Sequence, residues 1–439
     1  MIPRPPTVDE NSPPDGFRKD IDMDDAGDVL IVGGGPVGMM TALALAQKGA
    51  SVTVVEAGSG VSDSPRAMVY FAPTLVVLEE LGIRQELEAM GVIGRSFGHH
   101  VPDLDFHAVI STDCMAGITY DYQLHCGQDL VARVALEHAE RLGVRILFDH
   151  RVVAVGEEDD GAFATVETPE GVRDLRATWI IGADGARSTV RKLLGIGFEG
   201  HSWPNRFVAT NVYCDFAKLG YQPANFVCDP TYMAVIAVID DEGLWRLTYQ
   251  EDADLPAETF MERLPERYAF FIPEGTPYQI KSASPYAIHQ RCAETLRRGR
   301  VLLAGDAAHA TNPCGGLGLT TGVWTGMILS DVLGAVLRGE ESEDILDRYS
   351  DERRRIFLEV TSPGASANKR MLEESDIEQR RKDLGPIEAA ANDPAVARMM
   401  MSFPFKVIGD VLRAGSRWRD ANPLSETAID VSERGSQVA

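Results

Sequence analysis

Three glycine turns, each accompanied by one acidic residue, carry the residue types and spacing that hold a nucleotide. Gly33-x-Gly35-x-x-Gly38 follows the apolar run DVLIV and opens the small-residue stretch PVGMMTALALA. Gly33 allows a tight turn, Gly35 lets backbone N–H groups reach a pyrophosphate, and Gly38 lets helix and strand pack closely. Pro36 and Val37 begin the helix whose positive end faces the anion. Glu56 ends the next apolar run 18 residues after Gly38, where a carboxylate accepts hydrogen bonds from a ribose diol. The stretch GIGFEG at 195–200 has the same spacing but follows a helical pattern, so it is set aside.

The second turn lies in GADGARSTVRKLLG, where Asp184-Gly185 ends an apolar strand and Arg187, Ser188 and Arg191 follow. Alone it reads equally well as a strand-to-helix connection with a capping aspartate. The third lies in GRVLLAGDAAHATNPCGGLGLTTG. Asp306 stands just past an apolar strand and can bind a polyol chain. Loop 312–318, with Pro313, Gly315, Gly316 and Gly318 and then Leu319, lets backbone amides approach a flat ring edge at a helix N-terminus. One ligand satisfies all three turns: a flavin.

The order and spacing of VGGGPVG, Glu56, GADGARS and GRVLLAGDAAHATNPCGGLGLTTG resemble those of the group A flavoprotein monooxygenases, the p-hydroxybenzoate hydroxylase-like FAD enzymes, across roughly 28–356. The segment SPRAMVYFAPTLVVLEELG resembles the one in which an arginine, here Arg66, reaches the FAD phosphates, and CGQDLVARVALEHA places Gln128 where the family has a flavin-contacting glutamine. Thr320 and Thr325 depart from the family's Asn and Asp, which leaves flavin contacts there mainly to the backbone. No α/β pattern follows the helices, so the thioredoxin-like extension of the phenol hydroxylase branch is not expected.

The resemblance implies an α/β fold: a Rossmann-like FAD-binding domain with an inserted antiparallel β-sheet substrate domain and a helical C-terminal region. The expected organisation is a disordered leader at 1–27, an FAD-binding part at 28–190 with a small substrate-domain excursion near 76–104, and the antiparallel sheet at 191–290. A second FAD-binding part follows at 291–340, then a helical region at 341–421 and a polar tail at 422–439. The implied chemistry uses NAD(P)H and O2 to hydroxylate a phenolic ring through a C4a-hydroperoxyflavin. Baeyer–Villiger oxidation or epoxidation on the same fold, and a non-oxygenating FAD oxidoreductase, are the alternatives.

Composition bounds the partners. With 42 basic and 66 acidic residues the formal charge is −24, a field that repels nucleic acid and anionic lipid. Six cysteines without a Cys-x-x-Cys pair suggest neither a zinc site nor a disulfide framework. The N-terminus lacks an apolar signal core and no later apolar run is expected to reach bilayer length, so a cytoplasmic protein is expected. An aromatic small molecule and O2 are the expected partners, a homodimer being compatible with this reading, and no metal site is expected.

Tyr213, Tyr249 and His289 lie in or beside the strands of the antiparallel region and are the candidates for meeting a phenol. A strand tyrosine usually packs and a lone histidine is usually satisfied structurally, so the catalytic residue is left unassigned. His99-His100 and His309 are set aside on the same ground, His309 as a support for its turn.

Overall fold

The structure, a computed structural model, describes residues 23–62, 67–158 and 160–423. The leader expected at 1–27 is described only in its last residues, and there Met23–Asp25 form a strand paired with Gly171–Ala177. Residues 1–22 and all but the start of the polar tail lie outside the described residues.

Continuous apolar runs make a buried parallel sheet. Its six strands run in the order Arg297–Arg298, Val301–Leu303, Trp179–Gly182, Val29–Val32, Val52–Val55 and Arg145–Leu147, parallel except at the first. VLIV, VTVV and WIIG are buried throughout, as strands covered on both faces must be. Helix Pro36–Ala46 packs on helices Gln128–Arg141 and Leu317–Leu337. Its approach to the last is close: a Cβ on Gly326 would lie 2.3 Å from Thr41 Oγ1.

Helix Leu317–Leu337 corrects one expectation. By length and composition it is apolar enough to cross a membrane, and 89% of its apolar window is buried inside the protein. A helix apolar on every side is what a position among other helices and a sheet requires.

The second sheet is wide and mostly antiparallel. Its order is His309–Ala310, Gln279–Ala293, Phe198–Tyr213, Leu244–Asp252, Ala234–Val238, Ala224–Val227, Ser96–Val101 and Phe106–Ser111. Alternation gives it two unlike faces. Helix Phe260–Phe271 covers the outer one, where Leu264 and Tyr268 join Val208, Leu247 and Tyr249 in one cluster. The inner face contributes Phe97, Tyr213 and Leu244 to a cluster with Phe71, and Val101, Phe207 and Ile288 to a cluster with Cys314. The edge strand His309–Ala310 joins this sheet just after the third turn, so one short segment ties the two sheets together. Helices Asp344–Ile356, Ser362–Glu373, Ile377–Asn392 and Pro394–Ser402 complete the chain's helical region.

Candidate active site

The three turns leave the ends of three neighbouring parallel strands, Val29–Val32, Trp179–Gly182 and Val301–Leu303. They touch. Gly33 has φ +115°, and a Cβ on it would stand 2.4 Å from the carbonyl oxygen of Ala183. Ala183 N donates to Val32 O at 2.8 Å, and Ala304 N to Gly182 O at 2.9 Å. A Cβ on Gly305, φ +61°, would meet the Val37 side chain at 3.2 Å. Gly38 sits against Gly33 O, 2.1 Å from where its own Cβ would be. Gly35 differs from all of these: its Cβ would meet nothing within 4 Å, so the open space beside it is available to a ligand.

The donors that would line this space are uncapped. Helices Pro36–Ala46, Gln128–Arg141 and Leu317–Leu337 begin on Gly35, Gly127 and Gly316, none of which supplies a side-chain cap. Ser188, Asp376 and Asp393 cap the helices that follow them, whereas helices such as Arg84–Met90 and Asp344–Ile356 also start without a side-chain cap, so it is the glycine at each of the three starts that sets them apart. A helix start without a side-chain acceptor keeps its first N–H groups and its positive end for an anion or a carbonyl edge. Gln128 is the first residue of its helix and is partly buried.

The carboxylates divide their work. Glu56 Oε2 accepts from Gly34 N at 2.7 Å and Oε1 from Gly58 N at 2.8 Å, which fixes it beside the first turn with lone pairs to spare. Asp184 is spent on its own turn, accepting from Ser188 Oγ at 2.5 Å, Thr189 N at 2.6 Å and Val190 N at 3.1 Å. The capping role weighed for it in the sequence is therefore realised, and its turn reaches the cradle through the backbone of Ala183. Asp306 lies partly buried right after Gly305. Arg66 lies outside the described residues.

The loop after the third turn is pinned by residues the sequence did not single out. Gln290 Oε1 accepts from Asn312 Nδ2 at 3.0 Å and Thr311 Oγ1 at 3.0 Å, while its Nε2 donates to Ser362 Oγ at 2.9 Å. Asn312 Oδ1 in turn accepts from Cys314 N at 3.0 Å. Pro313 stays partly exposed, and Gly315 and Gly316 follow at φ +98° and +65°, a conformation that side chains resist. Gly318 and Leu319 lie in the first turn of the next helix. Thr320 donates back to Gly316 O at 3.2 Å, so its hydroxyl serves the helix. His309 stacks on Phe357 and bonds Thr325 Oγ1 at 2.8 Å, and burial pushes its pKa down to about 3. It supports the turn as a neutral ring.

Uncapped helix starts, bare glycine backbone, a neighbouring carboxylate and a donor-rich loop fit FAD. Known proteins agree. Residues 26–362 match the FAD binding domain family. The chain is 45% identical over 386 residues to para-nitrophenol 4-monooxygenase of Pseudomonas sp. (strain WBC-3), covering 85% of this chain and 94% of that one. It belongs to the group A flavoprotein monooxygenases.

Two further relatives of this flavoprotein monooxygenase bear on its site. One is the 6-hydroxy-3-succinoylpyridine 3-monooxygenase of Pseudomonas putida (strain DSM 28022 / S16), 42% identical over 349 residues, 78% of this chain and 88% of that one. The other is the crystal structure of p-nitrophenol 4-monooxygenase from Pseudomonas putida DLL-E4, 42% identical with a TM-score of 0.85, covering 88% of this chain and 99% of that one. The fold is thus the p-hydroxybenzoate hydroxylase-like one that the motifs implied.

The three aromatic and histidine candidates do not gather. Tyr213 is on the inner sheet face with Phe97 and Phe71, its ring 5.9 Å from Lys281 Nζ. Tyr249 is on the outer face, fully buried under helix Phe260–Phe271, and burial followed by the Glu251 charge pushes its hydroxyl up to about 12. His289 bonds Ser202 Oγ at 2.9 Å near the end of the sheet, and burial, then Arg291 and Arg187, lower its pKa. Of the three, only Tyr213 shares a face with the glycine loop.

Proposed function

We propose that the chain hydroxylates a small phenol or hydroxylated nitrogen heteroaromatic ring, consuming NAD(P)H and O2. The observation that carries the reading is loop 312–318. Gln290, a residue of the antiparallel sheet, anchors it on one side, and two left-handed glycines open it on the other, so a flavin edge held by this loop would border the sheet's inner face. Relatives above 40% identity are named for p-nitrophenol and for a hydroxypyridine, both small rings bearing a hydroxyl. Six free, buried cysteines support a reducing compartment, the cytoplasm.

Bound FAD supplies reduction by NAD(P)H and activation of O2. The chain's residues do the rest. The uncapped start of helix Pro36–Ala46, with the space at Gly35, would hold the pyrophosphate. Gly315, Gly316 and the first turn of helix Leu317–Leu337 would place positive partial charge where negative charge develops on the ring edge. The apolar clusters around Phe71 and Cys314 would keep water from the reacting centre.

The test is to load the purified chain with FAD and mix it with NADH or NADPH and p-nitrophenol under ¹⁸O₂. The reading predicts phenol-stimulated NAD(P)H oxidation and one labelled oxygen in the organic product. Oxidation that yields only hydrogen peroxide with every phenol and hydroxypyridine offered contradicts it.

A further inference from the structure

One row on the inner face of the antiparallel sheet is less completely buried than the rows beside it, and one buried imidazole stands at its end. Strand register places Ala209, Thr248, Val235, Phe226, His99 and Ser284 in a single row across six strands. The rows on either side run through the two apolar clusters, Phe97, Ala224 and Ala237 on one side and Val101 and Phe207 on the other, and continue into buried polar residues, Arg246 beside Ala237 and Gln250 beside Phe207. Small side chains, Ser284, Ala209, Thr248 and Val235, fill the middle row up to Phe226 and His99 at its far end. Val235 and Phe226 stay incompletely buried although both lie on internal strands. That partly exposed row is the recess of the inner face in which a planar ring would lie.

Its two walls are also the walls of the glycine loop. A Cβ on Gly316 would run into the Phe71 ring, 2.4 Å from Cε2, and Phe71 stands 5.8 Å from Phe97. Cys314 packs in the cluster that holds Val101. His99 lies between Phe97 and Val101 on the same strand, and alternation turns its side chain to their face. His100 points the other way, to Asn225 at 3.0 Å and to His107 and Tyr221.

His99 is 4% exposed, its ring is 5.3 Å from Phe226, and its Nδ1 is buried without a hydrogen-bond partner. A buried ring nitrogen left unpaired is costly unless a ligand completes it. Burial, with His100 adding to it, pushes the His99 pKa down to about 4, so the ring is neutral and can exchange a hydrogen bond with a neutral or an ionised hydroxyl according to tautomer.

We propose that His99 is the residue that binds the ring hydroxyl of the aromatic substrate, through a hydrogen bond at Nδ1, in the recess between the two apolar clusters. The proposal rests on the hydroxylase reading above and deepens it. Phe226 supplies the aromatic wall beside the bound ring, and the small side chains of Val235, Thr248 and Ala209 supply its floor.

The test measures binding apart from turnover. FAD-loaded wild type, H99F and H99N are titrated with p-nitrophenol and with 4-nitroanisole, its methyl ether, following flavin absorbance. The proposal predicts that wild type binds the phenol more tightly than the ether. H99F should lose about tenfold in phenol affinity with little change for the ether, and H99N, whose amide overlaps the Nδ1 position, should recover part of the loss. Equal loss for both probes, an unchanged phenol affinity in H99F, or no wild-type preference for the phenol overturns it. Should H99F fail to fold, the wild-type preference and H99N decide. Phenol binding that depends on His99 without stimulated NAD(P)H oxidation would contradict the hydroxylase reading and leave the His99 assignment standing.

Discussion

Gly33 and Ala183 are in contact through bare backbone: no room exists between the Gly33 α-carbon and the Ala183 carbonyl for a methyl group, which would lie 2.4 Å from that oxygen. Gly35, two residues on, has empty space where its side chain would be. The two glycines of one motif therefore serve different ends, one the fold and the other the ligand.

That contrast gives the first prediction. Gly35→Val, at φ −73° and ψ 175°, adopts a backbone that valine accepts and its Cβ has no protein atom within 4 Å, so it should fold with the melting temperature of FAD-free wild type and purify colourless. Gly33→Val adds strain at φ +115° to the clash with Ala183 and should lower stability by roughly 3 kcal/mol or more. Thermal melts and flavin absorbance separate the two. A yellow Gly35→Val protein contradicts the assignment of the pyrophosphate.

Asp184→Ala should act on stability first. It removes the acceptor of two backbone N–H groups and the Ser188 hydroxyl, a loss of about 1 to 2 kcal/mol in urea unfolding. FAD affinity should change little. A large affinity drop at unchanged stability would make Asp184 a direct ligand.

Asn312→Ala should loosen the loop without harming the first turn. It removes the side-chain bonds to Gln290 Oε1 and Cys314 N while the Thr311 hydroxyl and the backbone N–H of residue 312 keep theirs to Gln290. Uncoupling is the expected sign: more hydrogen peroxide per NAD(P)H consumed, with flavin content preserved. Peroxide yield equal to wild type would show that the loop needs no such anchor.

Stability should fall as the medium turns acid. His99, His125 and His309 are buried, and burial lowers them to about 4, 4 and 3 from an ordinary 6.5. The unfolded chain takes up their protons below pH 6.5 while the folded chain does not, so stability is full above that pH and is lost below it. Near pH 5 the loss is about 2 kcal/mol for each ring. Urea midpoints at pH 7 and 5 check this, and an H309N protein should show a shallower slope.

Which parts were legible follows from where each requirement resides. The first turn could be read because its glycines, its helix and Glu56 answer to backbone geometry within one short segment. Asp184 was ambiguous in the sequence because a cap and a ligand ask for the same residue in the same place, and only the bonds to Thr189 and Val190 separate them. Gln290 and Asn312 are far weaker signals: two amides 22 residues apart, meeting because an edge strand folds back on the sheet. His99 carries no stronger signal in the sequence than His100, and which of two adjacent strand residues faces inward is decided only by register. Tyr249 shows the reverse case, an aromatic whose strand turns it away from the loop and under a helix.

The most direct measurement is a crystal structure of the chain loaded with FAD. The account predicts the pyrophosphate at the start of helix Pro36–Ala46, beside Gly35, and the isoalloxazine edge against Gly315–Gly318, with the sheet row that holds His99 and Thr248 facing the ring. Flavin density that leaves either turn empty, or that turns the ring away from that row, would contradict it.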